Sequence, residues 1–158
     1  MEKELMVMMV EGGCPFARNS HMKVGEVAGD GTVTMFLEDD ASVLNAFGLV
    51  HAGAICGLVE TTGGMAIFNY LDPRVHIVLN TILDIRFIGM PRGRLTCEAT
   101  VVPEEVKAVK GELAGTGRAD KTVDVKVLDS ARKLIARAQA TFRLMPTPEE
   151  FKDRVTLG

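Results

Sequence analysis

A chain of 158 residues and 17.1 kDa is one domain's worth of sequence, large enough to bury a core without disulfides or a structural metal. Lys and Arg number 18 and Asp and Glu number 21, a net charge of −3 with no basic run, which argues against a nucleic-acid partner. A hydrophobic fraction of 47% excludes a disordered chain.

The first residues, MEKELMVMMVEGG, are acidic and have neither a basic n-region nor a small-residue cleavage site, so they do not read as a signal peptide. Met6, Met8 and Met9, with Leu5 and Val7, are expected to form an apolar cover rather than a metal site. Cys14, Cys56 and Cys97 make no Cys-x-x-Cys pair and leave an odd count, the pattern of reduced thiols in the cytoplasm. Cys14 with His21 is a poor metal pair, with no second cluster at ligand spacing.

Residues 31–37 alternate, with Val33, Met35 and Leu37 on one face, and read as the first strand. From 46 to 71 the only formally charged residue is Glu60. That length would span a bilayer. Five glycines dilute it, Glu60 falls near its middle, and no Lys/Arg cluster flanks it, so a membrane span is rejected. A helix buried inside a globular protein remains. Residues 75–88 then alternate, with Val75, Ile77, Leu79, Leu83, Ile85 and Phe87 expected on one face, interrupted only by Thr81. His76, Asn80, Asp84 and Arg86 are expected on the other, with Val78 and Ile82. Further alternation at 95–101, 122–127 and 134–144 predicts three more strands, the last two joined in a hairpin by Asp129-Ser130-Ala131-Arg132. Residues 103–120 are open between a helix, a strand extension and a loop, and 148–155 between a short helix and a frayed tail. The expected architecture is α+β, an antiparallel sheet wrapped around one central helix, as a single domain over 1–158 with its core at about 24–145.

The chemistry gathers on the helix. The amides of Ala52 and Gly53 fall in its first turn, where they lack intrahelical partners and lie at the positive end of the dipole. They make a plausible seat for a polarised carbonyl oxygen. Glu60 comes nine residues after His51, on the order of 13 Å along a helix at about 1.5 Å per residue. The two cannot easily serve one atom, so a shared site requires a second chain.

The segment Asn45-x-x-Gly48-x-x-His51-Ala52-Gly53, with an acid nine residues beyond the histidine, resembles the hotdog-fold acyl-CoA thioesterases, most closely the phenylacetic-acid-degradation type. The resemblance covers roughly residues 24–145. His51-Ala52-Gly53 stands where that family usually has His-Gly-Gly, and Glu60 where it usually has Asp. The resemblance implies hydrolysis of an acyl-CoA to free acid and coenzyme A without metal or organic cofactor. Ala52 and Gly53 amides would polarise the carbonyl, Glu60 of a partner subunit would act as general base or nucleophile, and Asn45 would place the water or the carbonyl. Asn80 falls where some relatives carry a hydroxyl that assists the water, with Thr81 the neighbouring candidate. The expected assembly is a homodimer with sheets joined edge to edge, doubled to a tetramer.

Against these roles, His51 could simply cap the helix, Asn45 could be a turn residue and Asn80 an ordinary strand residue. Cys56 reads as a small core hydrophobe. Glu60 could pair with Arg86 or another buried cation. Arg92, Arg94, Arg132 and Lys133 could meet coenzyme A phosphates or be merely solvated. Two other functions stay open: a hotdog-type acyl-thioester dehydratase or hydratase, and a non-catalytic acyl-CoA binding protein. Acyl chain length, aromatic preference and pathway are not set by the sequence.

Overall fold

The computed structural model describes residues 1–152. Six strands form one antiparallel sheet: β1 (Met22–Val27), β2 (Thr32–Leu37), β3 (His76–Phe87), β4 (Leu95–Thr100), β5 (Ala119–Leu128) and β6 (Leu134–Pro146). Their order is β1-β2-β4-β5-β6-β3. The strand that follows the central helix thus lies at the far edge from the strands that precede it. Helices α1 (Lys3–Val7) and α2 (Pro15–Asn19) flank a π-helical turn (Met8–Gly12) ahead of β1. The long helix α3 (Ala52–Phe68) is embraced by the sheet, α4 (Pro103–Thr116) joins β4 to β5, and α5 (Glu149–Lys152) follows β6.

Helix α3 forms because a largely apolar run, broken only by Glu60, Thr61 and Thr62, starts just after a capping histidine. Ile55, Leu58, Val59, Thr62 and Ala66 are buried, and the Thr62 hydroxyl is satisfied by donating to the Leu58 carbonyl at 2.7 Å. Each aliphatic side chain fully buried there contributes about 1.5–3 kcal/mol. Facing it are Val33, Met35 and Leu37 of β2, Cys97 of β4, Val123, Val125 and Val127 of β5, and Ala138, Ala140 and Phe142 of β6, the faces that alternation predicts. The Asp129–Arg132 connection closes the β5–β6 hairpin as expected: the Asp129 carboxylate accepts the Ala131 and Lys133 amides at 2.9 Å each.

Three points bear on the expected layout: two expectations are corrected and one open reading is resolved. The first strand is β1 rather than the stretch at 31–37, which is β2. The ambiguous region 103–120 is α4 followed by the start of β5, with Val106, Val109 and Leu113 buried at helical spacing and left-handed Gly117 ending the helix. The third concerns β3. Its register against β6 slips between Asn80 and Ile82. Before the slip, Val78 and Asn80 lie opposite Leu144 and Phe142, which face α3. After it, Leu83, Ile85 and Phe87 lie opposite Ala140, Ala138 and Ala136, which also face α3. Thr81 is therefore a bulge, and the two halves of β3 turn opposite parities inward. Ile77 and Leu79 do not share a face with Leu83. Thr81 Oγ1 and Asn80 Nδ2 both donate to the Thr141 carbonyl, at 3.1 and 3.2 Å, which pins the bulge.

The N-terminal segment is the apolar cover foreseen for Met6, fully buried, with Val10 and Ala17 beside it, while Met8 stays partly exposed. Of the stretch 148–155, open between a short helix and a frayed tail, Glu149–Lys152 is helical and 153–155 lie outside the described residues. No helix among the described residues is long and apolar enough to cross a membrane.

Candidate active site

The predicted site residues lie on α3, in the loop before it and on β3, in separate groups. The first surrounds the N-terminus of α3. His51 is the N-cap: its Nδ1 accepts the Gly53 amide at 2.9 Å, and its carbonyl accepts the amides of Ala54 and Ile55. The expectation that both first-turn amides are free is corrected here, since the Gly53 amide is capped. The Ala52 amide has no acceptor among the described residues. The cap is held by its own backbone, with the His51 amide on the Val43 carbonyl at 2.8 Å and the Val50 amide on Pro91 at 2.9 Å. His51→Ala is therefore expected to destabilise the protein by about 1 kcal/mol, as losing a helix cap does, read from the urea midpoint.

Asn45 builds the loop that leads to this turn. Its Oδ1 accepts the amides of Phe47 at 2.9 Å and Leu49 at 3.2 Å, while its own amide donates to the Leu49 carbonyl at 2.7 Å. The side-chain carbonyl is thus occupied, and only Nδ2 is left to meet a substrate or water. Phe47 stands at the loop's tip, 88% exposed. Phe16, Val43, Leu44, His51, Gly53 and Ala54 border a cavity of about 240 Å³ beside the helix terminus.

The second group lies further along. Glu60 is half-buried, and its recorded hydrogen bond is from the Thr61 hydroxyl at 3.4 Å, a weak one. No ion pair involves it among the described residues, and burial pushes its carboxyl above the usual glutamate range. Pairing with Arg86 is ruled out: Arg86 lies opposite Arg137 on the outer, exposed face of the sheet, with α3 on the other side. Asn80 does face α3, because the bulge puts it opposite Phe142, whose ring lies against Gly63 and Gly64. Those glycines are one helical turn beyond Glu60. Asn80 Nδ2 is committed to the Ile82 and Thr141 carbonyls. Thr81, its neighbour, sits in the bulge and is exposed.

One chain therefore holds the predicted residues in separate groups. His51, Ala52 and Gly53 lie at the helix terminus with the Asn45 loop leading into it; Glu60 lies about two and a half turns on, and Asn80 lies on β3 opposite Phe142. At 3.6 residues per turn Gly53, Gly57, Glu60 and Gly64 follow one another along a single stripe of α3. Burial raises the Cys56 thiol and drives Cys97 up to about 12, so neither is a ready nucleophile. Among the described residues no three His, Cys, Asp or Glu side chains gather as metal ligands. Sequence reasoning missed Phe16, which borders the cavity from α2; a lone aromatic in a Pro- and Gly-flanked stretch gave no periodic signal.

A family model described as a domain of unknown function, DUF4442, matches residues 2–144. The chain belongs to the DUF4442 family. No curated protein matches the sequence. Among solved structures, this DUF4442 chain is similar to a Pseudomonas aeruginosa protein of unknown function called a “Probable Thioesterase”, at 21% identity, 93% of this chain, 97% of that one and a TM-score of 0.82. It is also similar to a thioesterase from Haemophilus influenzae, at 16% identity, 92% of both chains and a TM-score of 0.75. A Staphylococcus aureus thioesterase, solved with a glutamine replaced by alanine, gives 22% identity, 84% of this chain, 100% of that one and a TM-score of 0.69. These likenesses establish the fold: this DUF4442 chain is an α+β hotdog, a six-stranded antiparallel sheet around one helix.

Proposed function

We propose that the protein is a cytoplasmic acyl-CoA thioesterase of the phenylacetic-acid-degradation type, hydrolysing the thioester at a site shared between two subunits. The observation that carries this reading is Glu60: a half-buried carboxylate with no cation beside it among the described residues, on the same helical stripe as the terminus that can receive a carbonyl oxygen. A structural acid would be paired, because an unpaired buried charge is costly. In the proposed mechanism the carbonyl oxygen meets the Ala52 amide, and His51 swings off Gly53 to release the second donor. As general base, Glu60 of the partner subunit takes a proton from water as its oxygen adds to the carbonyl, then gives that proton to the coenzyme A sulfur as the C–S bond breaks; as nucleophile, it attacks the carbonyl itself, coenzyme A leaves as the thiolate and is protonated by solvent, and water hydrolyses the resulting anhydride to the free acid and Glu60. Asn45 Nδ2 orients the carbonyl or the water, and Asn80 steadies the strand beside Glu60.

The named residues of a relative lend support. In the Staphylococcus aureus protein the glutamine and the glutamate chosen for replacement are fifteen positions apart, the separation of Asn45 and Glu60 here. The edge strand β3 supports the assembly. It is twelve residues long, and Val75, Leu79, Ile82, Phe87 and Ile88 on or beside it are all about half exposed or more. A long apolar edge is a template for a second copy. Arg86, Arg137 and Lys126 lie abreast on the outer face beside a row with Asp84 and Asp124, an array that a two-fold copy could complement, which supports doubling of the dimer to a tetramer.

The test is free-thiol release from a panel of straight-chain, branched and aryl acyl-CoAs. Release from any member, abolished in Glu60→Gln, is the expected result. Hydration of an enoyl-CoA without thiol release would select a hydratase instead. The capped Gly53 amide favours a second reading, a non-catalytic acyl-CoA binder, which binding without turnover across the panel would select.

A further inference from the structure

Phe16 lies directly on the backbone of the helix that carries Gly53 and Glu60. A Cβ built on Gly57 would stand 2.6 and 2.7 Å from the Phe16 Cε1 and Cζ, so only glycine lets the ring come so close. Gly57 lies between Gly53 and Glu60 on the stripe described above. The ring also borders the 240 Å³ cavity together with His51 and Gly53. It therefore walls one side of the helix terminus, where a bound acyl group would meet it. Its support is rigid: Pro15 opens α2, and Ala17, the next residue, is fully buried. The ring itself is 53% exposed, so it contributes a wall rather than core packing.

Resting on the thioesterase reading, we infer that Phe16 sets the bulk of acyl group the site accepts, its ring filling a groove that glycine creates on α3. One methylene in an apolar pocket is worth about 10- to 200-fold in kcat/KM, so removing a ring will move selectivity at least that far.

The experiment measures kcat/KM across the same acyl-CoA panel for wild type, Phe16→Ala and Phe16→Trp. Phe16→Ala is expected to raise the ratio of aryl and long-chain to short-chain kcat/KM by about 10-fold or more. Phe16→Trp should move the ratio the other way, with melting temperatures close to wild type because Ala17 still anchors α2. A wild type that hydrolyses the panel while both variants keep its selectivity would overturn this inference and leave the thioesterase reading standing. No thiol release by the wild type would overturn both. A Gly57→Ala variant that is destabilised in wild type and tolerated in Phe16→Ala would independently place the ring in the groove; equal destabilisation in both backgrounds would count against it.

Discussion

Replacing Glu60 with glutamine will lower kcat by about 100-fold or more while leaving KM little changed, the loss typical of a positioned acid–base group. The acyl group and coenzyme A meet other residues, so ground-state binding has little reason to move. Stability should go the opposite way. Burial raises the Glu60 carboxyl above its unfolded value, so the folded state favours the protonated form. No penalty is felt below the unfolded value, where both states are neutral. It develops as pH rises through the raised folded value, where folding must hold a buried charge. The Gln variant should therefore melt at or above the wild-type temperature at pH 7, and the difference should close as the solution is acidified toward pH 4. Wild-type activity must run the other way, falling as pH drops through the same group, because base and nucleophile both need the carboxylate. A Gln variant that is less stable yet fully active would make Glu60 a structural residue and end the mechanism.

Two inactive variants will restore one another if the half-sites come from different chains. Glu60→Gln removes the acid. Gly53→Val damages the helix terminus, since even a Cβ there would stand 3.1 Å from the His51 Nδ1 that caps it. In a mixed dimer of the two, one shared site carries both lesions and the other carries neither. Random exchange of subunits in an equal mixture should return about a quarter of wild-type turnover, as isologous two-fold pairing requires. If the half-sites of one chain acted together, mixing would restore nothing. A Leu79→Lys, Ile82→Lys double variant offers the complementary result. Placing like charges along the exposed β3 edge should shift sedimentation toward the monomer and lower turnover by about 100-fold or more, because two half-sites held apart lose the contribution of positioned groups.

The central helix was legible because so long an apolar run around one carboxylate leaves few other homes. Strands β4, β5 and β6 were legible because small apolar residues alternate cleanly with polar ones. β1 was not, because Gly25 sits inside it, with Val24 and Gly25 buried side by side. The faces of β3 were misassigned for a physical reason: an unbroken alternation of side chains gives no hint that the backbone slips. Thr81 looked like one polar residue on an apolar face, whereas it is the residue that changes which face is apolar. At the candidate site, residue types and spacing were readable while hydrogen-bond commitments were not. The sequence cannot tell a free first-turn amide at Gly53 from one taken by His51, nor a poised Asn45 from one whose carbonyl already holds its own loop.

If the chain dimerises as proposed, the slip at Thr81 also bears on how it would escape aggregation before finding a partner. A folded subunit presents a twelve-residue strand edge with unpaired outward backbone groups and exposed apolar side chains, the type of template on which fibrils grow by adding copies in any register. A bulge removes that freedom. Sliding a second strand along β3 would set the irregular step of one against the even ladder of the other, except where a two-fold axis brings the two steps into matching positions. The edge then accepts one neighbour in one alignment, and once it is taken no further strand can add.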